Sequence, residues 1–165
     1  MNEATALPTT DDYTGQIEFA SSPSAVYEAL TTLENLAGWW SKATGSGQVG
    51  GELRFFFADG IPAIFHVDEA MPVTRVQWSC VGYDHLPDWA GTVITFALAP
   101  AGDGGCELNF RHQGLNPKLE CFADCKNGWD HFLPSLRQFV DTGVGSPWKS
   151  EADLARREAR RLRNG

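Results

Sequence analysis

Histidines, cysteines and carboxylates are the side chains of this sequence that could carry acid–base, metal or nucleophilic chemistry. The chain has four histidines and four cysteines. His112 is the strongest histidine candidate, because it ends a strand pattern that contains Leu108 and Phe110. Side chains alternate with period two along a strand, so the register that buries those residues also turns His112 inward. Such an imidazole could anchor a ligand, act as an acid or base, or be a hydrogen-bonded core residue.

The cysteines and glycines match no site pattern. Cys121 and Cys125 lie one helical turn apart, but without a CxxC pair or an HExxH run the spacing predicts free thiols and no metal site. The glycine-rich segment 45–51 lacks a GKS or GKT ending and precedes a strand pattern, unlike a phosphate-binding loop. No GxSxG motif is present and no cysteine lies in a motif that would activate it as a nucleophile, so covalent catalysis is not expected. We predict no cofactor.

Aromatic residues are the most unusual feature of the composition, with six tryptophans and ten phenylalanines among 165 residues. Each such ring buries about 150–250 Å², and aromatic walls suit planar apolar ligands, although plain core packing accounts for roughly half of the rings. The candidate ligand-binding residues share inward positions on the predicted strands, the entry helix region or the last helix. They are Trp39, Trp40, Phe55, Phe57, Trp78, Phe96, Phe110, His112, Trp129, Phe132, Leu133 and Leu136.

Several elements must position these side chains. The sequence predicts a strand from Tyr13, a helix over residues 23–31 after the cap Ser22, and a short helix from Thr32 that ends at Gly38. Five further strands are separated by short turns, so neighbours are expected to pair antiparallel. Their predicted ranges are 52–57, 63–69, 75–82, 91–99 and 106–112.

The last large element is a long amphipathic helix. Apolar residues recur at three- and four-residue steps between residues 119 and 140, and Gly143 marks the expected end. Pro134 cannot bond the carbonyl of Asp130, which predicts a kink or a late start. The order of elements is typical of an α+β fold: a curved antiparallel six-stranded sheet around a long C-terminal helix, with two short helices after the first strand. Because one helix does not fill the space over a curled sheet, an internal cavity is expected.

One domain over residues 13–145 is predicted, between a flexible lead-in (1–12) and a charged tail (146–165). The tail can form a separate helix, with Ser150 as its cap and Asp153 reaching Arg157. Residues 1–148 carry seven basic and 18 acidic side chains, whereas residues 149–165 carry six and three. Since the acidic body repels phosphate backbones, nucleic acid is not an expected partner.

No membrane span or secretion signal is expected. The sequence has no run of 18 apolar residues, and its first residues have neither a basic nor an apolar signal region. Without export the protein is expected in the cytoplasm, where thiols stay reduced.

A series of short motifs runs through the predicted domain. They are Ser22-Pro23 with Val26, Ala29-Leu30-Thr31, Trp39-Trp40, Gly50-Gly51 with Phe55, Trp78, the run from Trp89 through Gly91-Thr92 to Phe96, Arg111-His112 with Gly114-Leu115, and Gly128-Trp129. Together they resemble the START-like (SRPBCC) superfamily, and more narrowly the branch named after the activator of the 90-kDa heat-shock-protein ATPase. The resemblance implies a helix-grip fold around an internal cavity. It also implies small apolar ligand binding as the commonest activity, with a minority of enzymes that act on polyketide-like substrates.

Three functions follow from the residues and the resemblance. The leading one is binding of a small, largely apolar ligand in the cavity, aromatic or lipid-like molecules included, without covalent catalysis; an enzyme is not favoured. The second is a cyclase or hydrolase for a polyketide-like substrate that uses His112 with Asp68 or Asp130 as acid and base. The third is a module that regulates a chaperone through an exposed apolar patch.

Pro134 and the basic tail after Trp148 depart from the family pattern.

Overall fold

Seven antiparallel strands form one sheet in the computed structural model, which describes residues 11–57 and 60–164. The strands are β1 (Tyr13–Phe19), β2 (Ala43–Gly45), β3 (Glu52–Phe56), β4 (Pro62–Met71), β5 (Arg75–Tyr83), β6 (Val93–Ala101) and β7 (Gly105–Gln113). Their order across the sheet is β1-β7-β6-β5-β4-β3-β2. The predicted α+β fold is confirmed, but the predicted strand number was one too low. The additional strand, β2, lies partly in the glycine-rich segment and has only three residues.

The helices are α1 (Pro23–Thr31), α2 (Leu33–Trp39), α3 (Phe122–Thr142) and α4 (Glu151–Asn164), and a 3-10 turn covers Pro87–Trp89. Helix α1 has its predicted bounds because the backbone N–H of Ala25 donates to the hydroxyl of Ser22 at 3.2 Å. Helix α3 is continuous through Pro134. It ends at Gly143, whose φ of 93° is the left-handed conformation typical of a glycine C-cap.

Gly38 does not end α2, which corrects the prediction from the sequence. The helix continues to Trp39, and Gly38 is needed for packing instead. A Cβ at Gly38 would lie 2.4 Å from Cε1 of Phe139 on α3. A hydrogen bond also joins the two helices there: the hydroxyl of Ser135 on α3 donates to the carbonyl of Trp39 on α2 at 2.8 Å. Helices α2 and α3 therefore approach closely because residue 38 has no side chain.

The hydrophobic core lies between the inner face of the sheet and helices α1, α2 and α3. The period-two pattern placed the strand residues correctly, except that Phe57 is only half-buried. The buried inner-face residues of the predicted strands are Leu53, Phe55, Phe65, Val67, Val76, Trp78, Cys80, Ile94, Phe96, Leu98, Leu108, Phe110 and His112.

The C-terminal helix α4 packs on α3. The N–H of Asp153 donates to the Ser150 hydroxyl at 3.3 Å, and its carboxylate accepts from the N–H of Lys149 at 2.9 Å, which together cap the helix. Arg156 donates to the side-chain carbonyl of Asn127 on α3 at 2.7 Å. The charged tail therefore has fixed contacts with the body of the fold.

The predicted lead-in lies outside the described residues up to residue 10. Asp12 is described, and its carboxylate accepts from Arg111 on β7 at 2.9 Å. The division of the chain at residues 13 and 145 stays a prediction. None of the helices in ranges 11–57 and 60–164 is long and apolar enough to cross a membrane.

Replacing Gly38 with alanine tests the α2–α3 contact. We expect Gly38→Ala to lower the free energy of unfolding by about 1–3 kcal/mol, because the added methyl overpacks the contact with Phe139. Gly128→Ala is the matched control, since a Cβ there meets no described atom within 4 Å. Alanine favours a helix over glycine by about 1 kcal/mol, so the control should be stabilised. Urea unfolding measures both values, and a stabilised Gly38→Ala protein would contradict the packing.

Candidate functional site

Aromatic rings fill the centre of the interface between the sheet and α3. The ring centroid of Trp40 lies 4.3 Å from that of Phe55 and 5.0 Å from that of Trp129. Trp78 stacks on Trp40 with centroids 6.1 Å apart and planes within 1° of parallel. All four side chains are buried. The centre of the interface is therefore packed by these rings, and open space lies beside them.

A cleft of about 180 Å³, which we call the aromatic cleft, adjoins this cluster. It lies between the segment 83–89, the first half of α3 and the C-terminal part of the chain. An apolar cavity of about 150 Å³ is large enough to bind benzene, so the cleft can hold a group of similar size. It is lined by Trp40, Phe57, Tyr83, Leu86, Trp89, Asp124, Cys125, Gly128, Trp129, Phe132, Trp148 and Arg156.

Four of the twelve site residues predicted from the sequence line this cleft, namely Trp40, Phe57, Trp129 and Phe132. The remaining eight belong to the packed core, and each is at most 3% exposed. Their inward orientation was correctly predicted, but none of them lines the cleft. These eight are Trp39, Phe55, Trp78, Phe96, Phe110, His112, Leu133 and Leu136.

Sequence reasoning missed the cleft residues that come from loops and from the C-terminal segment. Trp148 is the most important of them. Its backbone N–H donates to the carbonyl of Trp40 at 2.7 Å, and its indole N–H donates to the carbonyl of Phe57. Its ring packs edge-on against Phe57 with centroids 5.4 Å apart. The only signal in the sequence was a tryptophan within an otherwise charged tail.

Gly128 is the residue of α3 that leaves the cleft open. A glycine in a helix interior costs about 1 kcal/mol relative to alanine. Unlike Gly38, Gly128 has no described atom within 4 Å of a Cβ built upon it, so packing does not require the glycine. It lines the aromatic cleft between Cys125 and Trp129. A longer side chain at this position would occupy the cleft.

His112 is buried, and both of its ring nitrogens are hydrogen-bonded. The indole N–H of Trp129 donates to Nδ1 at 3.1 Å, so this network assigns the proton to Nε2. Nε2 then donates to the hydroxyl of Thr92 at 2.9 Å, which donates to the carbonyl of Trp89 at 2.7 Å. Burial lowers the pKa of His112 to about 3. The imidazole is therefore a neutral core residue at physiological pH, with its donor and acceptor both engaged.

The two carboxylates considered as acid–base partners of His112 are engaged elsewhere. Asp68 lies 2.8 Å from Nδ1 of the exposed His66. Asp130 accepts a hydrogen bond from the phenol of Tyr13 at 2.6 Å. The partners of His112 are an indole and a hydroxyl, which orient the imidazole but do not raise its basicity as a carboxylate would.

The cysteines are free and buried at all four positions. The indole N–H of Trp89 donates to Sγ of Cys125 at 3.2 Å within the cleft wall. Burial raises the pKa of Cys125 to about 12, so it is a protonated thiol rather than a nucleophilic thiolate. Within the described part of the chain, no group of three or more His, Cys, Asp or Glu residues could hold a metal ion.

The family follows from a sequence match over most of the chain. The profile of the Activator of Hsp90 ATPase homolog 1-like protein family matches residues 20–141. The chain belongs to this family. The solution structure of the Aha1 dimer from Colwellia psychrerythraea is 31% identical, with a TM-score of 0.71 over 81% of this chain and 98% of that one. The predicted branch of the START-like superfamily is thereby confirmed.

More distant structures share the fold. DynU16, from the dynemicin biosynthetic locus, is 22% identical with a TM-score of 0.66 over 83% of this chain and 49% of that one. The crystal structure of CalU16 from Micromonospora echinospora is 20% identical with a TM-score of 0.64 over 88% of this chain and 83% of that one. No curated protein matches the sequence significantly.

The pH dependence of stability tests the state of His112. Between an ordinary pKa of 6.5 and the lowered value of about 3, the unfolded chain binds a proton that the folded chain does not. Stability should therefore fall as pH decreases from 6.5, by up to about 1.4 kcal/mol per pH unit from this group. His112→Gln should lose this contribution, whereas His66→Gln, at an exposed position, should keep it. Urea unfolding between pH 4.5 and 8 measures the slopes, and equal slopes for His112→Gln and the unmodified chain would contradict the assignment.

Proposed function

We propose that the chain binds a small, largely apolar ligand by enclosing a planar group of one or two rings in the aromatic cleft. Gly128 is the observation that carries this proposal. The glycine weakens α3 and is not required by a neighbouring side chain, yet it keeps open a space walled by tryptophan and phenylalanine. A ligand that fills the space explains why a helix would retain glycine there.

The walls of the cleft favour planar apolar groups. Trp40, Phe57, Trp129 and Trp148 present ring surfaces from four different parts of the chain. Aromatic pairs at centroid separations of about 4.5–7 Å gain about 0.5–1.5 kcal/mol beyond simple area burial. The volume of about 180 Å³ limits the enclosed group to about the size of one ring or a fused pair.

The other two functions receive less support from the geometry. A cyclase or hydrolase needs a free acid–base group, whereas both nitrogens of His112 are engaged within the core. An effect on a chaperone ATPase is suggested by the family to which the chain belongs. In the described ranges, the large exposed apolar side chains come from loops, strands and α4. They are Val49, Met71, Val73, Val81, Val144, Leu154 and Leu162.

Filling the cleft tests the proposal. Indole is the probe, and isothermal titration calorimetry measures its binding to the unmodified chain and to Gly128→Leu. We expect binding to the unmodified chain and an affinity at least about tenfold lower, or 1.4 kcal/mol, for the leucine variant, because its side chain occupies the space. Gly128→Ala, with one added methyl, should fall between them and confirms that the helix tolerates substitution. Absent binding, or equal binding by all three proteins, would contradict the proposal.

A further inference from the structure

A groove lined by arginines adjoins the aromatic cleft. Arg156, Arg157, Arg160 and Arg161 of α4 border a groove of about 340 Å³ together with Asp124 of α3. Asp124 and Arg156 also line the aromatic cleft, so the two spaces share a wall. These arginines lie beyond residues 20–141, which match the family profile. Asp124, the remaining wall of the groove, lies within that range.

Two of the arginines dock α4 on the body. Arg156 donates to Asp153 from Nε and Nη2 and to Asn127 from Nη1. Its guanidinium also lies 5.4 Å from the ring centroid of Phe132. Arg160 donates to Asp124 at 2.7 Å. These contacts explain how the helix is held in place, and they use three donor nitrogens of Arg156 and one of Arg160.

Arg157 is held in place without a matching hydrogen bond. Its Nε lies 3.3 Å from Oδ2 of Asp153, but it is buried and forms no hydrogen bond with any residue in the described ranges. The guanidinium lies 3.9 Å from the ring centroid of Trp148, which is a wall of the aromatic cleft. The side chain lines the arginine groove and is 36% exposed, so a ligand oxygen can approach its outer part. Arg157 is thus a fixed cation beside the cleft that has donor capacity remaining.

The charges around the groove leave a positive excess. Asp153 is shared by Arg156 and Arg157, Asp124 pairs with Arg160, and Glu158 pairs with Arg161. Four arginines therefore share three carboxylates, which leaves one positive charge. The charge balances that of a single carboxylate, and a guanidinium presents donors that suit carboxylate oxygens.

We propose that the ligand of the aromatic cleft is an aromatic monocarboxylate, whose ring occupies the cleft and whose carboxylate is bound by Arg157 at the arginine groove. This inference rests on the proposed function, because it adds a charged end to a ligand whose ring the cleft encloses. The shared wall of Asp124 and Arg156 gives the two ends a common site. Trp148 links them physically, since one side chain contacts both Arg157 and the cleft.

Two probes of matched shape test the inference. Indole-3-carboxylate and indole-3-carboxamide differ in charge but hardly in size, and calorimetry at pH 7 measures their affinities for the full chain. We expect the carboxylate to bind at least about tenfold more tightly than the amide. In Arg157→Gln this ratio should fall to about one while the amide keeps its affinity, which shows that the cleft is intact. Arg163→Gln is the matched control on α4, outside the groove, and should keep the ratio.

Each other outcome overturns a defined part of the argument. Equal binding of the two probes by the unmodified chain overturns the carboxylate site but leaves the aromatic cleft as the proposed site. Binding of neither probe overturns the proposed function and this inference with it. Undiminished binding of the carboxylate by Gly128→Leu means that the groove holds an anion independently of the cleft. An equal loss of both probes in Arg157→Gln means that the arginine only supports Trp148.

Discussion

Trp40 joins two strands of the sheet to α3 and to the C-terminal segment. Its ring lies against Phe55 of β3, Trp78 of β5 and Trp129 of α3, and its carbonyl accepts the N–H of Trp148. These rings fill the space between the inner face of the sheet and α3. The aromatic cleft lies beside these rings, between the segment 83–89 and the segment that contains Trp148. The position and small volume of the aromatic cleft both follow from this packing.

Local patterns predicted most of the fold because they depend on neighbours in the sequence. Alternation along β7 placed His112 inward, and the Ser22 cap placed the start of α1 correctly. The errors concern features that depend on distant residues. Strand β2 has three residues and exists through its pairing with β3. Gly38 is required by Phe139, about a hundred residues away, and no local rule separates that requirement from helix termination.

The candidate site was less predictable than the fold. Alternation shows which rings point inward, but it does not show which inward rings contact one another and which leave a gap. Trp78 and Phe96 therefore belong to the packed core, although alternation along their strands also suits a position in a cavity wall. Leu86, Trp89 and Trp148 come from segments outside the long helices and strands, where no periodicity exists, whereas Asp124, Cys125 and Gly128 lie on α3. Gly128 could have been singled out from the sequence, because a glycine within a helical pattern destabilises the helix and therefore indicates a packing or functional role.

Three of the four tryptophans that line the cleft use their indole N–H groups in hydrogen bonds within the protein. The indole N–H of Trp129 is donated to His112, that of Trp89 to Cys125 and that of Trp148 to the carbonyl of Phe57. Keeping His112 neutral is part of this arrangement, because only an unprotonated Nδ1 can accept from Trp129.

These three side chains therefore present aromatic surface to a ligand, because their indole N–H groups already donate to acceptors within the protein. The arginines of α4 offer charged donors to a polar end of the ligand at the rim of the cleft. The Arg157 guanidinium lies 3.9 Å from the centroid of the Trp148 ring and lines the arginine groove. The indoles of Trp89, Trp129 and Trp148 thus supply apolar surface to the cleft, and the arginines of α4 supply positive charge beside it.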